Sequence, residues 1–168
     1  MTKREIESEL CRTLGASKVI WIPGDPDETG TDGHIDGIAA FIEPGRVLVE
    51  VNPDSSDPHY PVGQNNMKAL KNIKDAKGRR LELDFINEAS YHPEVRDDEC
   101  GSYINSYLAN GAVVVPGYNA NEGERDFEAI ETYQKIYPER TVVQVQINDI
   151  AVGGGGIHCI TQQQPNRK

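Results

Sequence analysis

The run Gly153-Gly154-Gly155-Gly156-Ile157-His158-Cys159-Ile160-Thr161 holds the residues best suited to chemistry. A thiolate is a strong nucleophile, and neighbouring amides or a cation favour that ionised form. Four successive glycines weaken any regular element, so they suit close backbone approach or positive φ. A ligand there would meet both the Cys159 thiol and the exposed amides of the loop. A single cysteine is more often an apolar filler of the core, and the glycine run brings the two readings level. His158 is the adjacent base, but residues 157–163 read as a strand, and neighbouring side chains in a strand point to opposite faces. The better partner is His34 in Gly33-His34-Ile35-Asp36. In an extended segment i and i+2 share a face, so His34 and Asp36 would reach one ligand together. A carboxylate beside an imidazole favours the protonated ring, which suits acid and base roles near neutrality. The His-x-Asp spacing is short, and many such pairs are solvated surface residues.

The acidic stretch before His34 admits a different chemistry. Asp25, Asp27, Thr29, Gly30 and Asp36 occupy calcium-loop positions. The final position lacks its bidentate Glu, Pro26 follows the first ligand, and the preceding segment reads as a strand instead of a helix. Nucleotide-binding glycine spacing is absent, as is a basic stripe with interleaved aromatics. With 17 basic against 27 acidic residues the net charge is −10, which repels phosphate backbones and anionic membrane surfaces and suits a small cation. The same charge also serves solubility alone. No apolar run approaches the roughly 18–20 residues of a membrane span, and Met1-Thr2-Lys3-Arg4 leads into an amphipathic helix, so the expected location is cytoplasmic. Cys11, Cys100 and Cys159 are three thiols without metal-type spacing, suggesting neither a disulfide framework nor a zinc site.

The elements that must position these residues form an α/β pattern in one domain. Ile6, Leu10 and Leu14 after Thr2, closed by Gly15, predict a helix over 3–14, and Val19-Ile20-Trp21-Ile22 predicts a buried strand ended by Pro23-Gly24. Apolar runs 36–41 and 46–51 flank Glu43-Pro44-Gly45 as a hairpin. A helix over about 61–75 and a strand over about 80–86 complete a ββαβ unit spanning about 34–87. The order returns over about 101–148: strands near 102–108 and 112–116 joined at Asn110-Gly111, a helix near 123–136 and a strand near 141–147. Before these units stands an αβ remnant, 1–24; after them come the glycine loop and lone strand, 153–165. Two copies of one unit suggest a repeat architecture with unshielded ends. A plain α+β sandwich with two similar halves fits the periodicity equally well.

Taken together, Trp21-Ile22-Pro23, Asp27-Glu28-Thr29, Gly33-His34-Ile35-Asp36-Gly37, Ser102-Tyr103-Ile104-Asn105, Ala109-Asn110-Gly111 and the run from Gly153 through Cys159 to Pro165 resemble agmatine deiminases. The resemblance covers essentially the whole chain but only about the second half of a family member, so Met1 is expected to fall inside the parent sequence. It implies a partial pentein, about half of a five-unit ring of ββαβ units with the site at its centre. It implies hydrolysis of agmatine to N-carbamoylputrescine and ammonia without metal or organic cofactor. Cys159 would be the nucleophile, His34 the acid and base, and Asp36 the guanidinium ligand, with Gly155 and Gly156 letting substrate approach the backbone. His158, His59 and His92 carry no expected catalytic role. Two further acidic contributions come from the half of the family pattern that has no counterpart here. The expected partners are therefore a guanidinium substrate and either the complementary half or a second copy through self-association. The alternative is a catalytically incomplete fragment or interaction module that retains the motifs.

Overall fold

The structure, a computed structural model, describes residues 1–26, 28, 33–89, 101–119 and 123–164. Helix α1, Lys3–Leu14, begins where the Thr2 side chain accepts from the Glu5 amide and the Glu5 carboxylate accepts from the Thr2 amide. This reciprocal cap satisfies two amides that the first turn leaves free. The helix stops at Gly15, whose φ of 66° suits a residue without a Cβ.

Strands β1 (Ala39–Glu43), β2 (Arg46–Val51) and β3 (Glu82–Asn87) make the first sheet, with helix α2 (Tyr60–Leu70) in the crossover. Strand β1 is antiparallel to β2, and β2 is parallel to β3. Strands β4 (Tyr107–Ala109), β5 (Ala112–Gly117) and β6 (Thr141–Gln146) repeat that arrangement around helix α3 (Glu124–Ile136). The repetition reaches single hydrogen bonds. Glu82 N donates to Gly45 O at 2.9 Å and Thr141 N to Gly111 O at 2.9 Å; at the other ends, Glu88 N donates to Val51 O and Ile147 N to Gly117 O. Both hairpins turn at a glycine of positive φ, Gly45 and Gly111.

The core explains the apolar runs. Strand β2 alternates its side chains between two clusters: Val47 and Val49 join Leu70 and Leu81, whereas Leu48 joins Ile86, Tyr103, Val113, Val115 and Tyr133. The second cluster links the first sheet to α3 and β5, binding the two ββαβ units through one interior.

Four elements differ from the sequence reading. Residues 19–22 are not a strand: Ile20 and Ile22 pack on the Val47 cluster while Trp21 turns outward to Glu7, but no described strand pairs with their backbone. Helix α2 ends at Leu70 because Ile73 folds back onto the same cluster and its carbonyl accepts from Leu81 N. Residues 102–106 form a turn, since Ser102, Tyr103, Ile104 and Asn105 are all buried and a strand would send alternate ones outward. Residues 157–160 are also a turn, and a short helix α4, Asn148–Ala151, precedes the glycines. Among the described residues, no helix is long and apolar enough to cross a membrane.

Candidate active site

The buried turn 102–105 is anchored from several sides. Ser102 Oγ donates to Gly37 O at 3.1 Å, Tyr103 N donates to Glu50 Oε1 at 3.0 Å, and Tyr133 Oη donates to Tyr103 O at 2.9 Å. Tyr103 Oη donates to Asp126 Oδ1 at 2.7 Å, and Asp126 also accepts from the amides of Tyr118 and Asn119 and from Gln146 Nε2. The buried Asp126 carboxylate is thus fully engaged, as a buried charge requires. The result is a rigid platform that presents Asn105, only 2% exposed, toward the glycine loop.

That loop is wound by Gly153 N to Ile150 O and Gly154 N to Ala151 O, with φ of 76° at Gly154. It turns again where Thr161 N and Oγ1 donate to His158 O and Oγ1 donates to Ile157 O. The amides of His158 and Cys159 donate to Asn105 Oδ1 at 2.8 and 3.4 Å, while Asn105 Nδ2 lies 3.2 Å from Cys159 Sγ. Gly156 is buried, and a Cβ there would stand 2.4 Å from Asn105 Oδ1. Its visible structural use is to make room for that amide. A Cβ on Gly155 would meet Cys159 Sγ at an ordinary 3.8 Å.

Asp36 arrives from the first unit on a single 3-10 turn, Ile35–Gly37, closed by Gly37 N to His34 O and Ile38 N to Ile35 O. Its Oδ2 lies 3.4 Å from Cys159 Sγ and 2.7 Å from His158 Nδ1; its Oδ1 lies 4.0 Å from His34 Nδ1. Two expectations change here. The His34-x-Asp36 pair shares a site through a turn, not through an extended segment. His158 is not directed away from Cys159, because the turn brings both side chains to one carboxylate oxygen.

The site is open. Cys159 is an exposed free thiol and the His34 side chain is 64% accessible, against 18% for Asp36. Bordering Gly37 of the Asp36 turn, a separate cavity of about 90 Å³ is lined by Asp25, Glu50, His59, Asn66 and Glu88. Burial holds the Glu50 carboxyl well above the usual carboxylate range, although hydrogen bonds from Ser102, Tyr103 and Ile104 oppose the rise. Burial also pushes Glu88 up to about 7, aided by the charges of Asp57 and Asp25 and opposed by His59 and the Asn52 amide.

The parts played by Asn105 and Glu50 were hidden in the sequence. Asn105 sits in an apolar-flanked stretch that reads as a strand, and the only signal is a polar residue where burial is dense. Cys11 is a half-buried free thiol on α1, whereas Cys100 and His92 lie outside the described residues. The calcium-loop positions Asp27, Thr29 and Gly30 also lie outside them. Among the described residues, no group of three or more His, Cys, Asp or Glu side chains is arranged to hold a metal ion.

Comparison with known proteins gives this geometry a context. Residues 1–165 match the model of the Porphyromonas-type peptidyl-arginine deiminase family. The agmatine deiminase of Ectopseudomonas mendocina is 34% identical over 186 residues, covering 98% of this chain and 49% of that protein. The solved structure of the Enterococcus faecalis agmatine deiminase superposes with a TM-score of 0.91 at 31% identity, over 100% of this chain and 50% of that one. A cysteine-to-serine variant of the C. jejuni agmatine deiminase with substrate bound superposes with a TM-score of 0.79 at 25% identity, over 94% and 45% of the two chains. The fold is therefore a partial pentein, and the chain spans about half the length of the relatives it matches. By the match over residues 1–165, this chain belongs to the Porphyromonas-type peptidyl-arginine deiminase family.

Proposed function

We propose that the chain is an agmatine deiminase-like hydrolase whose nucleophile is Cys159. The observation that carries this reading is the meeting of Cys159 Sγ, from the glycine loop, with the Asp36 carboxylate and the nearby His34 imidazole, from the start of the first unit, in a chain whose relatives include agmatine deiminases. Asp36 holds the planar guanidinium by charge-assisted hydrogen bonds and aims its carbon at sulfur. The Cys159 thiolate attacks that carbon and forms a C–S bond. His34 gives a proton to the departing nitrogen, the C–N bond breaks, and ammonia leaves. The amidino-thioether that remains is attacked by water, which His34 deprotonates. The C–S bond then breaks, and the released thiolate restores the starting state. Agmatine and water thus yield N-carbamoylputrescine and ammonia, with Gly155 leaving the loop backbone beside Cys159 without a side chain, whereas Gly156 is taken up by the Asn105 amide. The net charge of −10 favours the approach of this cation. We place the protein in the cytoplasm, acting on a small molecule and not on nucleic acid or membrane.

The test is acid-quenched mass spectrometry of the chain mixed with agmatine. An amidino adduct is expected on the peptide containing Cys159 and none in Cys159→Ser; an adduct elsewhere, or none under turnover, overturns the assignment. A second reading is favoured by the exposure of Cys159 and His34. In it the site is completed by a segment from another chain, either the complementary half or a second copy. Turnover per chain then rises with protein concentration or on adding that half, which activity assays across a dilution series measure.

A further inference from the structure

We propose that Asn105 is an additional catalytic residue that fixes the Cys159 sulfur in its attacking position. The proposal rests on the reading of Cys159 as nucleophile and assigns the group that holds it. Two backbone donors decide which end of the amide faces where. The N–H groups of His158 and Cys159 both reach Oδ1, at 2.8 and 3.4 Å, so that atom must be the acceptor. The NH2 group is thereby left for the sulfur, 3.2 Å away. One side chain therefore sets the backbone of the loop and the direction of the thiol together.

Its rigidity is built in. Asn105 is 2% exposed, and the turn that carries it is tied to Gly37 through Ser102, to Glu50 through the Tyr103 amide, and to α3 through Tyr133. The tie to Gly37 matters most, because Gly37 closes the turn that bears Asp36. Asn105 and Asp36 are consequently fixed to each other as well as to the sulfur. Such second contacts keep a reacting atom within the narrow tolerance that catalysis requires. Gly156 complements the arrangement, since a Cβ there would stand only 2.4 Å from Oδ1 and press on the Asn105 side chain.

The test is peptide-resolved alkylation by iodoacetamide across about pH 6 to 10, with Cys11 in the same sample as internal reference. Asn105→Asp keeps an acceptor oxygen for the two amides but presents an acceptor to the sulfur in place of the donor. The expected result is Cys159 alkylation at neutral pH slowed about ten-fold or more relative to Cys11, with half-maximal reaction moved up by about one pH unit. An unchanged Cys159 profile in the folded variant overturns the proposal. Should Asn105→Asp not fold, the wild-type chain still decides: the side-chain NH2 resonances of Asn105 are expected to move with pH in step with Cys159 alkylation, and resonances indifferent to it contradict the contact. Alkylation reads the sulfur without agmatine. A shifted profile in a chain that releases no ammonia would therefore sustain the role of Asn105 and sink the agmatine reading alone.

Discussion

Oδ2 of Asp36 stands 2.7 Å from Nδ1 of His158, whereas its Oδ1 stands 4.0 Å from Nδ1 of His34. The histidine adjacent to Cys159 in sequence thus holds the carboxylate, and the one two residues before Asp36 stands at longer reach. His158 is suited to steadying Asp36, and the proposed mechanism gives the proton transfers to His34. In a preparation that turns over agmatine, His34→Ala is expected to lower kcat by at least about 100-fold. His158→Ala is expected to raise KM about ten-fold with a smaller loss in kcat, because Asp36 loses its nearest partner. Steady-state kinetics on both variants separates the roles, and equal losses in kcat would contradict the division.

Glu88 predicts a pH dependence of stability. Its folded carboxyl titrates near 7, above its ordinary 4.5, so between those values the folded state binds the extra proton. Stability from this group is complete below about pH 4.5 and is lost as pH rises through 7. Glu88→Gln removes the titration while keeping an oxygen for the Asn52 amide. The variant is expected to be more stable than wild type above pH 7 by up to about 3 kcal/mol and to converge on it near pH 4.5. Urea titrations at several pH values measure this, and parallel stability curves would exclude it.

The platform under Asn105 can be weakened at one atom. Tyr103 is fully buried and its hydroxyl donates to Asp126, which retains three other donors when that hydroxyl is removed. Tyr103→Phe leaves no unsatisfied group of its own and is expected to cost about 1–2 kcal/mol. A chemical melt of the variant gives the figure directly, and a loss beyond about 4 kcal/mol would mean that the hydroxyl holds more than this contact.

Much of this architecture was legible from residue patterns. Thr2 and Gly15 bracket α1, and Gly45 and Gly111 mark two hairpins whose repetition revealed the ββαβ unit. What could not be read was the local geometry of the site. Local periodicity assigns extended backbone to His34-Ile35-Asp36 and Ile157-His158-Cys159, and the two 3-10 or turn conformations there depend on tertiary anchors: Ser102 on Gly37 and Asn105 on the loop amides. Asn105 and Cys159 are far apart in sequence, so no pattern within either segment announces their contact. The same holds for Glu50, whose alternation in β2 signals a solvent face but whose carboxylate instead accepts the Tyr103 amide.

Ammonia release from agmatine by the wild-type chain beside Cys159→Ser, over a range of protein concentrations, shows whether Cys159 acts as the nucleophile of a deiminase. Release by the wild type that vanishes in an equally folded Cys159→Ser is the predicted result. Equal release by both proteins, or silence from well-folded wild type at every concentration and also with the complementary half added, would contradict it.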